Sequence, residues 1–249
     1  MSPHSKIMTI AGILVGLLLL LMLLLSCSRS SSKNEQVAVV KHSSKREILT
    51  YEGIDSVLDR FEKVPYEKLD TAYLKFSGYD KEMYKEGIRG KIFYRITWEE
   101  SLKNLVGKFT VNDFLPKDRN WSGSKTSSET VRTQYICINK EVLHRFLDLI
   151  NRLGEMGYDK YAFRIKDGFR YPNFNNRTGG ARLSQHIYGR AIDLSIGDID
   201  RDGKYNEATD KKIVLSLLEN DIIKNSGGVG CYPGTNAVHF DTRGYKARW

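Results

Sequence analysis

The chain predicts an α+β fold, with a mainly antiparallel sheet and flanking helices. Three observations carry this. Short period-two segments at 161–166, 191–196 and 238–241 read as strands. Helical patterns occur at 139–153 and 210–223, but they do not alternate regularly with the strands as a parallel βαβ sheet would require. With 249 residues, 41% of them hydrophobic, the chain can bury a core of ordinary size.

In chain order, the first element is an apolar run at 7–25, preceded by Lys6 and long enough to span a bilayer. It ends Leu24-Leu25-Ser26-Cys27, which resembles a bacterial lipobox, with Cys27 as the lipidated residue. Residues 1–27 are therefore read as a signal peptide with a lipobox. Arg29, Lys33, Lys41, Lys45 and Arg46 follow the run, and that asymmetry keeps an uncleaved anchor open as an alternative. Residues 28–50 are rich in Ser, Lys and Asn and read as a flexible tether.

Residues 51–107 form an N-terminal extension or a small subdomain, and no chemistry is visible there. Ile54, Leu58 and Phe61 have helical spacing, and 91–97 is strand-like. The main domain is 108–249. Residues 118–130 read as a polar loop, and 134–138 as a strand. Asn139 can cap a helix that buries Leu143, Phe146, Leu147, Ile150 and Leu153, with Gly154 and Gly157 marking its end.

The formal charge is +9, but the Lys and Arg residues are scattered, with no basic run interleaved with aromatics. This suits an acidic polymer as partner and argues against nucleic acid. The chain has three cysteines. If Cys27 is lipidated, Cys137 and Cys231 are either a pair or two single thiols.

Five histidines occur in the chain. His4 lies in the leader, His42 in the tether, and His144 beside Arg145 on a helix face expected to meet solvent. His186 and His239 remain. His186 stands seven positions before Asp193, with Gly189 between them to allow a reversal. On the strand, Ala191, Asp193 and Ser195 share one face, while Ile192, Leu194 and Ile196 take the other. His239 and Asp241 likewise share a face, opposite Val238 and Phe240. Two His and one carboxylate with an open position describe a catalytic zinc site rather than a structural one.

These residues carry a resemblance. Ser184-x-His186-x-x-Gly189-x-Ala191-x-Asp193, followed by Val238-His239-x-Asp241, looks like the zinc D-Ala-D-Ala peptidase superfamily, the LAS peptidases. The segment 167–175, the run 227–233 and the ending 241–249 resemble its exported murein endopeptidase branch. The resemblance implies zinc bound by His186, Asp193 and His239, and Arg170 contacting substrate. It implies a peptidase of peptidoglycan stem peptides or crosslinks, tethered at the periplasmic side of a bacterial envelope membrane. Ser184, Gln185 and Tyr232 are candidate substrate contacts. Several branches carry an acidic base three residues before the last His, where this chain has Asn236. Asp241 then becomes the candidate base, or else the group that orients His239. The missing acid also keeps open a zinc-containing binding module without turnover.

Asp198, Asp200 and Asp202 begin like an EF-hand loop, but position twelve is Thr209 rather than Glu. The readings are a calcium site or an acidic turn that caps the following helix.

Overall fold

The structure, a computed structural model, describes residues 46–118, 122–125, 130–205 and 207–249. The apolar run at 7–25, Cys27 and most of the tether lie outside the described residues. Among the described residues, no helix is long and apolar enough to cross a membrane.

The last part of the 28–50 segment, from residue 46, belongs to the described fold. Ile48 exchanges two backbone hydrogen bonds with Gly107, at 2.9 and 2.7 Å. Thr50 then caps α1 (Tyr51–Leu58) by accepting from the Gly53 amide. Strand β1 (Glu62–Pro65) follows, then α2 (Thr71–Ser77), α3 (Glu82–Ile88) and β2 (Ile92–Thr97). Short α4 (Trp98–Ser101), β3 (Asn104–Val106), β4 (Phe109–Thr110) and α5 (Val111–Phe114) close this half.

The segment expected to be a loop at 118–130 contains a strand, β5 (Ser122–Lys125), antiparallel to β6 (Thr130–Ile136). Its Ser and Gly content hides the strand, because pairing with β6 supplies the order that local propensity does not. The first sheet runs β1-β2-β6-β5, so the extension and the main domain share one sheet.

Helix α6 (Lys140–Glu155) is the principal helix. Asn139 caps it by accepting from the Glu141 amide at 2.9 Å, a contact worth about 0.5–2 kcal/mol. Its apolar stripe, Val142 to Leu153, is wholly buried. Phe146 lies at the centre of this stripe, 5.7 Å from the ring of Phe163 and 6.3 Å from that of Phe240.

The second sheet is built from β7 (Phe163–Asp167), β8 (Ala191–Ile196), β9 (Gly228–Cys231), β10 (Ala237–Asp241) and β11 (Ala247–Arg248). Its order is β11-β9-β10-β8-β7. Only the β11–β9 pairing is parallel among these. Helix α7 (Pro172–Arg177) precedes β8, and α8 (Lys212–Leu217) follows it, continuing at both ends into π-type turns. Ile192, Leu194, Val238 and Phe240 are fully buried on one face of the sheet. The other face carries the polar residues of interest. One hydrophobic cluster runs through both halves, and 44–249 is one compact unit.

Candidate metal centre

Strands β8 and β10 are antiparallel neighbours whose register sets His239 directly opposite Asp193. The row extends to Gly230 on β9 and to Asp167 on β7. Period-two alternation then points both side chains off the same face.

His186 reaches this face from a 3-10 turn, Gln185–Tyr188. The Ser184 hydroxyl accepts from the His186 amide at 3.4 Å, which starts the turn. Gly189 ends it with φ of 66°, and a Cβ there would stand 2.1 Å from the Cys137 carbonyl oxygen. Only glycine tolerates both conditions.

The ring nitrogens are sorted by their partners. His186 Nδ1 lies 2.6 Å from the Gly168 carbonyl oxygen, so Nδ1 carries the proton and Nε2 presents a lone pair. Nε2 is buried and has no hydrogen-bond partner, although Asp193 Oδ1 is 3.2 Å away. His239 Nδ1 is 2.7 Å from the same Asp193 oxygen, and its Nε2 is 2.9 Å from Asp241 Oδ2. One ligand atom from each of His186, Asp193 and His239 falls within 4.8 Å of the others. An orphaned nitrogen, a second imidazole and a carboxylate, all buried, fit a zinc ion.

Electrostatics agree. Burial pushes the Asp193 carboxyl up, but His186 and His239 overcome this and hold it well below the usual carboxylate range. Burial pushes His239 down, yet hydrogen bonds to Asp193 and Asp241 leave it raised. Buried negative charge in the site is therefore matched by adjacent positive charge.

Arg170 Nη2 donates to Asp167 at 2.9 Å and to Asp193 at 2.6 Å, while its Nε is buried without a partner. Arg170, His186, Asp193 and His239 border an open cavity of about 1070 Å³, together with Ser184, Gln185 and Tyr232. Lys166, Arg190 and Arg243 join Arg170 as cations in its wall. Trp249 also lines it, with its ring 5.1 Å from that of His239 and the Arg243 guanidinium 5.2 Å from the indole.

The Peptidase M15 family model matches residues 108–241. The chain belongs to the Peptidase M15 family. M15 peptidases are zinc-dependent, and among the described residues His186, Asp193 and His239 form a cluster that could hold the ion. No curated protein and no solved structure matches the chain.

Several expectations for this M15 peptidase change with the geometry. Asp241 lies behind His239, on the ring nitrogen away from Asp193. It is fully buried and accepts from Gly228 N at 3.0 Å and from the Arg243 Nε and Nη2 at 2.8 and 2.6 Å. Every direction is taken, so it cannot reach a water on the cavity side, and the base role is corrected to orientation of His239. Asn236 is exposed, donates to the Ile196 carbonyl oxygen at 3.0 Å, and lies outside this cavity's wall. His144 is not on a free solvent face: it stacks on Tyr51 at 4.3 Å and bonds Asp55 at 3.1 Å.

Asp198, Asp200 and Asp202 do converge. Their carboxylates accept from the amides of Gly203, Asp202 and Lys204, at 2.9, 3.1 and 2.8 Å. One oxygen of each thus binds the loop's own backbone, while Asp198 Oδ1 is buried without a partner. Asp210 accepts from the Ile199 amide at 2.7 Å, tying the turn back. Cys137 and Cys231 are both free. Burial pushes the Cys137 thiol up to about 12.

Residues missed from the sequence include Asp167, Lys166, Arg190 and Arg243. Asp167 opens the resembling segment 167–175, but no role was read for it, and Arg243 stands two places after Asp241. Lys166 and Arg190 carried no local signal. Glu86 and Met83 were also missed, since 51–107 showed no motif.

Proposed function

We propose that this M15 peptidase hydrolyses peptide bonds in peptidoglycan stem peptides or crosslinks, outside the cytoplasmic membrane. The observation that carries the reading is the convergence of His186, Asp193 and His239 in an open cavity walled by Lys166, Arg170, Arg190 and Arg243. Stem peptides carry several carboxylates, and a cationic wall favours them over neutral peptides. The apolar run at 7–25 and Cys27 support a tethered location at the envelope membrane.

In this reading His186 Nε2, Asp193 Oδ1 and His239 Nδ1 hold the ion. Zinc bound there supplies an acidified water and polarises the scissile carbonyl. The chain's own residues do the rest. The Gly168 carbonyl holds the His186 ring in the tautomer that leaves Nε2 bare, and Asp241 does the same for His239 from behind. Arg170 fixes the second oxygen of Asp193 through Nη2, and its side chain lines the cavity. Ser184 shapes the turn, while Gln185 and Tyr232 form wall around the bound peptide.

A second reading, a zinc-containing binding module without turnover, has one observation in its favour. Apart from Asp193, the only carboxylate bordering the cavity among the described residues is Glu86. Digestion of purified muropeptides by the zinc-loaded protein, with and without chelator, separates the two. Cleavage that disappears with chelator and in His239→Ala establishes hydrolysis. Tight binding to sacculi without cleavage establishes the module, and neither cleavage nor binding removes both.

A further inference from the structure

The family match begins at residue 108, yet part of the metal-site cavity is made by the segment before it. Met83, Glu86 and Gly87, all on α3, border the same cavity as His186, Asp193 and His239. The extension is joined to the turn that carries His186 by specific contacts. Tyr79, fully buried, donates its hydroxyl to the Ile187 carbonyl oxygen at 2.5 Å. Gly87 lies so close to Tyr188 that a Cβ would stand 2.5 Å from that ring. Asn173 on α7 donates to the Phe76 carbonyl oxygen at 2.8 Å, fixing the other end. Helix α3 is therefore a wall of the cavity, with its last turn packed on Tyr188 and the segment leading into it bonded to Ile187 and Asn173.

The wall brings one charge of its own. Glu86 is exposed and makes no ion pair among the described residues; its neighbour Lys85 is engaged by Glu82 at 2.7 Å. All the other charged groups around the cavity are cations, apart from the metal-binding Asp193. A ligand that is anionic overall but carries one amine would meet its match there. The carboxylates would face the arginines, and the amine would face Glu86.

We infer that Glu86 on the N-terminal extension is a specificity-determining residue, which receives a primary ammonium group of the peptide substrate. The inference rests on the peptide-hydrolase reading above and names the part of the substrate that the extension recognises. It distinguishes substrates whose diamino-acid side chain is free from those in which that amine is blocked.

The test uses zinc-loaded full chain and a lysine-containing peptide ending in D-Ala-D-Ala, with the side-chain amine free or acetylated. Equilibrium binding by calorimetry is read beside KM and kcat. Wild type binds the free-amine peptide more tightly, by roughly two- to fivefold, as suits an exposed ion pair. Glu86→Gln removes that preference, and Glu86→Lys reverses it, with zinc content unchanged. Equal binding of the two peptides by wild type overturns the inference. So does a preference that survives Glu86→Lys. Loss of kcat in Glu86→Gln with binding unchanged also overturns it, by making Glu86 a proton acceptor instead. A wild type that binds with the amine preference but never cleaves would instead remove the hydrolase reading and leave the recognition by Glu86 standing.

Discussion

Asp193 and His239 are direct cross-strand partners, and one Asp193 oxygen lies 2.7 Å from His239 Nδ1 because the β8–β10 register puts them there. A one-residue slip of either strand would turn its own ligand into the hydrophobic core, where Leu194 and Val238 now lie. The metal geometry is thus tied to the burial of the opposite face.

The register and the His186 turn make a first prediction about metal. His186→Ala, Asp193→Ala and His239→Ala should each lose stoichiometric zinc while keeping the fold, as read by metal analysis and circular dichroism. Chelation of the wild type should have the same effect on any peptide cleavage. A variant that retains one zinc per chain removes that residue from the ligand set.

Asp241 gives a prediction that separates orientation from proton transfer. Asp241→Asn can still accept at His239 through its amide oxygen but cannot pair with Arg243 as an anion. Zinc affinity should fall by roughly 10–100-fold, the usual effect of losing a partner behind a metal ligand. With saturating zinc, the shape of the pH–rate profile should be unchanged. A lost acid limb would restore the base role.

The same carboxyl sets an acid-side stability term in the metal-free protein. Burial raises its pKa, but His239 and Arg243 outweigh that and hold it below the ordinary carboxylate range. A group with a depressed folded pKa contributes stability that is fully present above its unfolded value and disappears as pH falls through the folded one. Urea midpoints taken from neutral pH into the acid range should therefore fall less steeply for Asp241→Asn than for wild type.

Lys211 is almost wholly buried, and its Nζ donates to the carbonyl oxygens of Tyr232 and Thr235 at 2.6 and 2.7 Å. It thereby holds the turn that carries Tyr232 to the cavity wall and leads into β10. Lys211→Met takes this donor from the Thr235 carbonyl, at a cost of about 1–3 kcal/mol, while the Tyr232 carbonyl keeps the Thr235 amide and hydroxyl as donors. The expected result is a lower urea midpoint and a raised KM, with zinc content retained. An unchanged KM would show that the turn keeps its shape without the lysine.

Cys137 supplies a prediction about reactivity. With its thiol pushed up to about 12, it stays protonated at neutral pH and is shielded from solvent. Peptide mapping after brief alkylation of the native protein should find Cys231 labelled and Cys137 unlabelled until denaturant is added. Early labelling of Cys137 would mean that the β6–α6 junction opens readily.

The ligands were legible because each rests on a local pattern. Alternation along 191–196 and 238–241 told which face Asp193 and His239 would take, and Gly189 marked the reversal that frees His186. The capped helix at 139–155 was legible for the same reason, since its periodicity lies in neighbouring residues. β5 was not: its Ser and Gly residues form a strand only against β6. Glu86 was not legible either, because nothing in 82–88 says which cavity it will border.

The sequence by itself thus determined the α+β class, the family and a candidate metal-ligand set whose residues come together in the structure. It did so through short-range periodicity and a motif read within one stretch of chain. Tertiary structure alone decided that Asp241 supports His239 from behind, and that the extension packs onto the His186 turn. Both depend on contacts between residues far apart in sequence or on which side of a ring a partner approaches. Local pattern carries neither kind of information.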